Sequence, residues 1–294
     1  MMYQAWSHPM PEHAMSLRGW FTPPTGKPVI HFLHGNGFCG RSYDPMLAVL
    51  ATEFDLWLTD LQGHGESDIG RGFLGWNANA EIAARAFNAH RDVFGRAPVF
   101  AVGHSFGGVL TSLMLANQPS LFQRAVLLDP VLFTRDILAA ISLTNLFGMG
   151  KLTPFARSAM QRTQDWPNRA AAMAHLKERG TFRSWSSEAL QAYVDHALRD
   201  SQGGRVGLKC APATEATIYH TTPRRLWPSI RGISTPTLII HGTHTMPFVK
   251  RAVRRATALN ARISAREEAG GHCFMQEDPE RAALLIRRFL LGSN

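Results

Sequence analysis

Gly103-His104-Ser105-Phe106-Gly107 stands between a short apolar run, residues 99–102, and an apolar stretch reaching Asn117. The run reads as a buried strand and the stretch as a helix, so the five residues form the corner between them. A serine on such a corner projects its hydroxyl from a tight, strained turn, and small flanking residues let helix and strand pack side by side. The corner is also a helix N-terminus, where backbone N–H groups favour developing negative charge. In this context the pattern G-x-S-x-G makes Ser105 a candidate nucleophile.

The surrounding chain repeats the strand–helix alternation. Residues 29–33 are mostly apolar and meet His34-Gly35-Asn36-Gly37, a strand ending in a glycine turn. A helix is predicted over 42–50, a strand over 54–59 ending in the polar loop 60–67, and a helix within 79–94 stopped by Gly95. A further strand, 125–128, closes on Asp129-Pro130. Such alternation builds a parallel sheet covered on both faces. The pattern breaks over 131–232, where helices are predicted at 169–179 and 187–198 and no strand of the parallel type stands out. It resumes with a strand at 237–241, a helix at 248–259 and a strand near 263–266. The last helix opens on Asp278-Pro279-Glu280, a cap with proline at the first position, and ends before Gly292. The expected layout is one α/β core, residues 1–130 and 233–294, with a helical insertion at 131–232.

Composition is that of a globular chain: 294 residues, 45% hydrophobic and 18% charged, enough to bury a sizeable core. Disordered, collagenous and disulfide-stapled classes are excluded. The net charge of +9 is uneven, because residues 131–232 hold 14 Lys/Arg against 7 Asp/Glu. These basic residues are scattered and no nucleic-acid motif accompanies them, so nucleic-acid binding is not expected and a solvated basic face is. Cys39, Cys210 and Cys273 make no disulfide framework and suit a reducing compartment. The first 20 residues lack a charged-then-apolar leader, and no apolar run approaches the ~18 residues of a membrane span. A cytoplasmic location is expected.

Taken together, the His34–Gly37 turn, the loop 60–67, the Ser105 corner and Gly271-His272 before the last helix come in the order seen in the α/β-hydrolase fold family, which the chain resembles over nearly all its length outside the insertion. More loosely, the His-Gly-Asn-Gly-Phe run and residues 205–219 resemble a group of bacterial and fungal hydrolases. The resemblance implies a mostly parallel central sheet flanked by helices, with the insertion as a helical cap. It implies His272 as the base that activates Ser105, since a serine hydroxyl is a weak nucleophile alone. It also implies two backbone donors for the tetrahedral oxyanion, the N–H of Phe106 and that of Asn36.

The family's acid usually follows the strand at 237–241 in a G-x-x-D arrangement. Here the sequence reads Gly242-Thr243-His244-Thr245, and no acid occurs between Gly232 and Arg266. A threonine cannot carry the charge that steadies an imidazolium. Some members place the acid one strand earlier, and Asp129 holds that position, so Asp129 is expected to orient His272. Asp60 comes next, in what resembles the family's structural loop, and then Glu267 and Glu268. His104, inside the corner, reads as a packing or backbone-support residue. The pairs His31/His34 and His241/His244 lack a carboxylate partner, so no metal site is expected, and no cofactor motif is present.

A serine at the corner points to carboxylic-ester hydrolysis through an acyl-enzyme, on a small or medium, partly apolar ester. Thioester, lactone or carbon–carbon bond hydrolysis remains open on the same residues, as does a non-catalytic ligand-binding role. Phe38, Met149, Phe155 and Trp185, with Leu152, Phe182, Tyr193, Tyr219 and Trp227, are the candidate pocket lining. Cys273, beside His272, is expected to be reachable by thiol reagents that would slow activity.

Overall fold

A computed structural model describes residues 1–147 and 153–292. Its main sheet has eight strands: β1 (Gln4–Met10), β2 (Met15–Phe21), β3 (Val29–Leu33), β4 (Asp55–Asp60), β5 (Val99–His104), β6 (Ala125–Leu128), β10 (Thr237–Gly242) and β11 (Ile263–Glu268), in the spatial order β1-β2-β4-β3-β5-β6-β10-β11. From β4 to β11 neighbours run parallel; β1 and β2 form an antiparallel hairpin on the β4 edge. The central strands are runs of Val, Ile, Leu and Phe because both faces are covered. Alternate residues enter opposite cores: Val29, Trp57, Leu127 and Ile239 on one side, Ile30, Leu58, Leu128 and Ile240 on the other.

The helices divide accordingly. Helix α1 (Asp44–Leu50) packs with α12 (Pro279–Leu291), which follows the single turn α11 (Phe274–Glu277), on one face. Helices α2 (Trp76–His90) and α3 (Phe106–Asn117) cover the other, joined by α9 (Leu226–Gly232) and α10 (Pro247–Leu259). The chain leaves β3 for β4 on one side, while β5 leads to β6 on the other. Loops at the carboxyl ends of β3 and β5 therefore diverge and open a crevice, the usual ligand position in an open α/β sheet.

Between β6 and α9 the chain forms α4 (Arg135–Leu146), α5 (Pro154–Met160), α6 (Arg169–Leu176), α7 (Ser187–His196) and α8 (Pro212–Tyr219). It also forms a small antiparallel sheet, β7 (Asp165–Trp166), β8 (Leu198–Asp200) and β9 (Val206–Leu208), in the order β7-β9-β8. The sequence pattern shows only helices here, since two- and three-residue strands carry no periodic signal. The N-terminal hairpin is a further element beyond the sequence expectation. Pro9 sits in its edge strand, where a missing N–H is tolerated, and Trp6 is buried against Trp57 at 4.3 Å. Among the described residues no helix is long and apolar enough to cross a membrane.

Candidate active site

Strand β5 ends at His104 and α3 begins at Phe106, leaving Ser105 alone at the corner with φ +54° and ψ −113°. Few non-glycine residues adopt a positive φ, and here the two flanking glycines make it geometrically feasible. A Cβ on Gly103 would stand 2.4 Å from Thr111 Oγ1, and one on Gly107 would stand 2.3 Å from the Leu33 carbonyl oxygen. The helix thus sits directly against β3 and β5.

From this corner a hydrogen-bonded chain runs through three separate loops. Ser105 Oγ lies 2.9 Å from His272 Nε2, and His272 Nδ1 lies 2.8 Å from Asp129 Oδ1. Asp129 caps β6, which lies between β5 and β10, and it is fully buried. Its carboxylate also accepts the Gly242 N–H at 2.8 Å and the Thr245 hydroxyl at 2.6 Å. With Asp129 accepting at Nδ1, the imidazole donates there and presents a bare Nε2 to the serine. The other acids considered in the sequence lie elsewhere. Asp60 accepts N–H groups from Gly40 and Glu66, Glu267 pairs with Lys250, and Glu268 pairs with Arg266 and Arg281.

The turn at 34–38 faces the serine corner. Its N–H groups are engaged at Gly35, by the Tyr43 hydroxyl; at Gly37, by His64 Nε2; and at Phe38, by the Gly35 carbonyl. Among the described residues the N–H groups of Asn36 and Phe106 have no acceptor. Neutral histidines shape this turn. His34 Nε2 accepts the Leu61 N–H at 2.9 Å while Nδ1 donates to Gly35. Burial lowers the pKa of His64 to about 4 and that of His34 well below the usual range, so both remain acceptors near neutrality.

His104 has the backbone-support role expected for it. The Tyr43 hydroxyl donates to Nδ1 at 2.6 Å, and Nε2 donates to the His272 carbonyl at 3.1 Å. Burial, with the nearby His272 adding to it, holds this imidazole well below its ordinary pKa. Tyr43 gave no sequence signal, and Thr245 gave one only as an absence, the place where an acid was missing.

Among the candidate lining residues, Phe38 lies against His104, Trp185 and Tyr193, and Trp185 also packs on Phe182. Phe155 is 54% exposed and stacks on Tyr219. Trp227 is buried and donates to the Phe133 carbonyl, as a core residue does. Met149 and Leu152 lie outside the described residues. Cys273 differs from expectation: it is buried, its Sγ lies 3.4 Å from the Thr181 hydroxyl, and burial pushes its thiol up to about 12. It is shielded from reagents rather than offered to them. Among the described residues no group of three potential ligands could hold a metal ion.

Residues 32–283 match the alpha/beta hydrolase family. The chain is 27% identical over 269 residues to the lipase LipV of Mycobacterium tuberculosis, covering 90% of this chain and 94% of that protein. It is 31% identical over 120 residues to monoglyceride lipase of Mus musculus, covering 39% of this chain and 38% of the mouse protein. Among solved structures, E-2-(acetamidomethylene)succinate hydrolase superposes with a TM-score of 0.77 at 19% identity, covering 99% of this chain and 100% of that one. The strand order, the serine corner and the match across residues 32–283 agree: this chain belongs to the alpha/beta hydrolase family.

Proposed function

We propose that the protein is a serine hydrolase that cleaves carboxylic esters through an acyl-enzyme. The observation that carries this reading is the unbroken chain Ser105–His272–Asp129, with links of 2.9 and 2.8 Å. In the proposed cycle Ser105 Oγ attacks the ester carbonyl as its proton passes to His272 Nε2. Asp129 orients the imidazole and faces the positive charge it gains. The N–H groups of Asn36 and Phe106, free of other acceptors, receive the oxyanion. Collapse of the adduct expels the alcohol, which takes the proton back from His272. Water, deprotonated in turn by His272, then releases the acid and restores the serine.

Residues 131–232 are read as a cap over this site, and the aromatic pair Phe38 and Trp185 favours a partly apolar small-molecule substrate. The lipase names of two relatives agree with ester cleavage.

The test is covalent labelling by a fluorescent fluorophosphonate together with turnover of p-nitrophenyl esters. Ser105→Ala should abolish both and His272→Ala nearly so. Asp129→Asn should lower kcat by up to about 10⁴-fold, because the imidazole loses the acceptor that sets its tautomer. Labelling that survives Ser105→Ala, or a folded wild type that neither labels nor turns over any ester, overturns the proposal.

A further inference from the structure

A largely buried ion pair outside the Ser105–His272–Asp129 chain lies directly on the turn that carries Asn36. Arg162 Nη1 donates to Glu215 Oε2 at 2.6 Å, and Arg162 Nη2 donates to the Tyr193 hydroxyl at 3.0 Å. The side chains of Glu215 and Arg162 are only 7% and 20% exposed. All three residues belong to the segment between β6 and α9, and two of them, Tyr193 and Glu215, also hydrogen-bond the β3 turn. The Tyr193 hydroxyl reaches the Gly37 carbonyl at 3.4 Å, and Asn36 Nδ2 donates to the Glu215 carbonyl at 3.0 Å. The ion pair lies close over Gly37, at φ +81°, since a Cβ there would stand 3.2 Å from both Arg162 Nη1 and Glu215 Oε1. On the opposite side His64 Nε2 holds the Gly37 N–H at 3.1 Å.

We infer that Arg162, Glu215 and Tyr193 are positioning residues that aim the Asn36 N–H at the oxyanion, so that the intervening segment completes the catalytic machinery rather than only covering it. The inference rests on the serine-hydrolase reading above. Its physical basis is the steep distance dependence of oxyanion stabilisation: donors act when they lie within ~2.7–3.1 Å of the oxygen's final position, and a displaced donor loses most of its effect. A buried ion pair is a poor device for stability, since desolvation offsets its attraction, but it holds a geometry firmly when its members are also hydrogen-bonded to their surroundings. Here Arg162 serves Glu215 and Tyr193 at once, which needs the planar fork of a guanidinium. Helices α5 and α8 pack together; α8 carries Glu215 and α5 ends two residues before Arg162. The seating of those helices and the aim of the donor are therefore set by the same contacts.

The experiment compares wild type with Arg162→Met, Arg162→Lys, Tyr193→Phe and the neutralised pair Arg162→Met/Glu215→Gln. The readouts are Tm, kcat and KM on an aryl ester, and Ki for a trifluoromethyl ketone that mimics the tetrahedral adduct. The neutralised pair avoids a stranded buried charge and is expected to fold where Arg162→Met alone does not. Its kcat should fall about tenfold or more with KM within about twofold of wild type, and the ketone Ki should rise in step with the loss of kcat/KM. Arg162→Lys should fall between, keeping the charge but not the fork. Tyr193→Phe keeps the ring packing and should show the same pattern at about threefold. Folded variants with unchanged kcat and Ki overturn the inference, as does a rise in KM alone. A wild type that neither labels nor hydrolyses esters removes the hydrolase reading and this inference with it. An active wild type with unaffected variants removes this inference alone.

Discussion

The Thr245 hydroxyl donates a 2.6 Å hydrogen bond to Asp129 Oδ1, the same oxygen that faces His272 Nδ1 at 2.8 Å. The residue standing where the family more often has its acid therefore hydrogen-bonds a carboxylate one strand away. Three donors converge on one fully buried carboxylate: the Gly242 N–H, the Thr245 hydroxyl and the imidazole. The turn after β10 thus helps to hold the Asp129 carboxylate in place, through a backbone N–H and a neutral side chain.

Replacing Thr245 by valine keeps the shape and deletes one of those donors. A hydrogen bond to a charged acceptor is worth about 1.5–3 kcal/mol, so Thr245→Val should lower stability by that order while Thr245→Ser lowers it far less. Urea denaturation measures both. Equal midpoints for the valine and serine variants would show that the hydroxyl contributes nothing.

Acid should weaken the fold before it titrates ordinary carboxylates. His31, His34, His64 and His104 are fully buried, and burial depresses each, to about 3 for His31 and about 4 for His64. In the unfolded chain they titrate near 6.5. Between those limits the unfolded state binds protons that the folded state refuses, so stability falls as pH drops below ~6.5, by up to about 1.4 kcal/mol per pH unit for each histidine. Asp60 opposes this: burial raises its carboxyl to about 6, so the folded state takes that proton first and gains as pH falls. Four groups outweigh one, and the urea midpoint at pH 5 should lie clearly below that at pH 7.5. A midpoint that holds or rises contradicts the account.

Gly107→Ala should yield little folded, active protein. The added Cβ would meet two backbone oxygens, those of Leu33 at 2.3 Å and His34 at 2.5 Å, and neither can rotate aside. Gly232, with nothing within 4 Å, is the control position and should accept alanine. Soluble yield and circular dichroism distinguish the two.

Cys273 should resist iodoacetamide in the native protein and react fully after unfolding, as should Cys39 and Cys210. All three are buried, and burial raises each thiol, so little thiolate is present near neutrality. Mass spectrometry after timed alkylation checks this, and rapid native labelling of Cys273 would refute it.

Much of this arrangement was legible in the residues. The buried strands announced themselves as continuous apolar runs bounded by glycine turns, and β3 and β6 begin and end where the pattern does. Ser105, His272 and Asp129, the three residues singled out with the help of the family resemblance, lie each within hydrogen-bond distance of the next. What stayed hidden depends on contacts between distant segments. The β1–β2 hairpin is held by Trp6 stacking on Trp57, a contact 51 positions along the chain that no local window contains. Arg162 and Glu215 are individually ordinary charges in a basic segment, and only folding brings them onto Gly37. Tyr43 is one more core aromatic until His104 and the Gly35 N–H are placed around its hydroxyl.

The backbone at Ser105 bears on why the residue is there at all. Its φ of +54° belongs to a region where a side chain costs of order 1–3 kcal/mol and glycine costs almost nothing. Ser105→Gly should therefore leave a protein that melts higher than its parent and does no chemistry. A chain that served only as a scaffold would gain stability from that single change at position 105. A serine at this strained position gives up stability that glycine would keep, so the contribution of residue 105 lies outside the folding free energy.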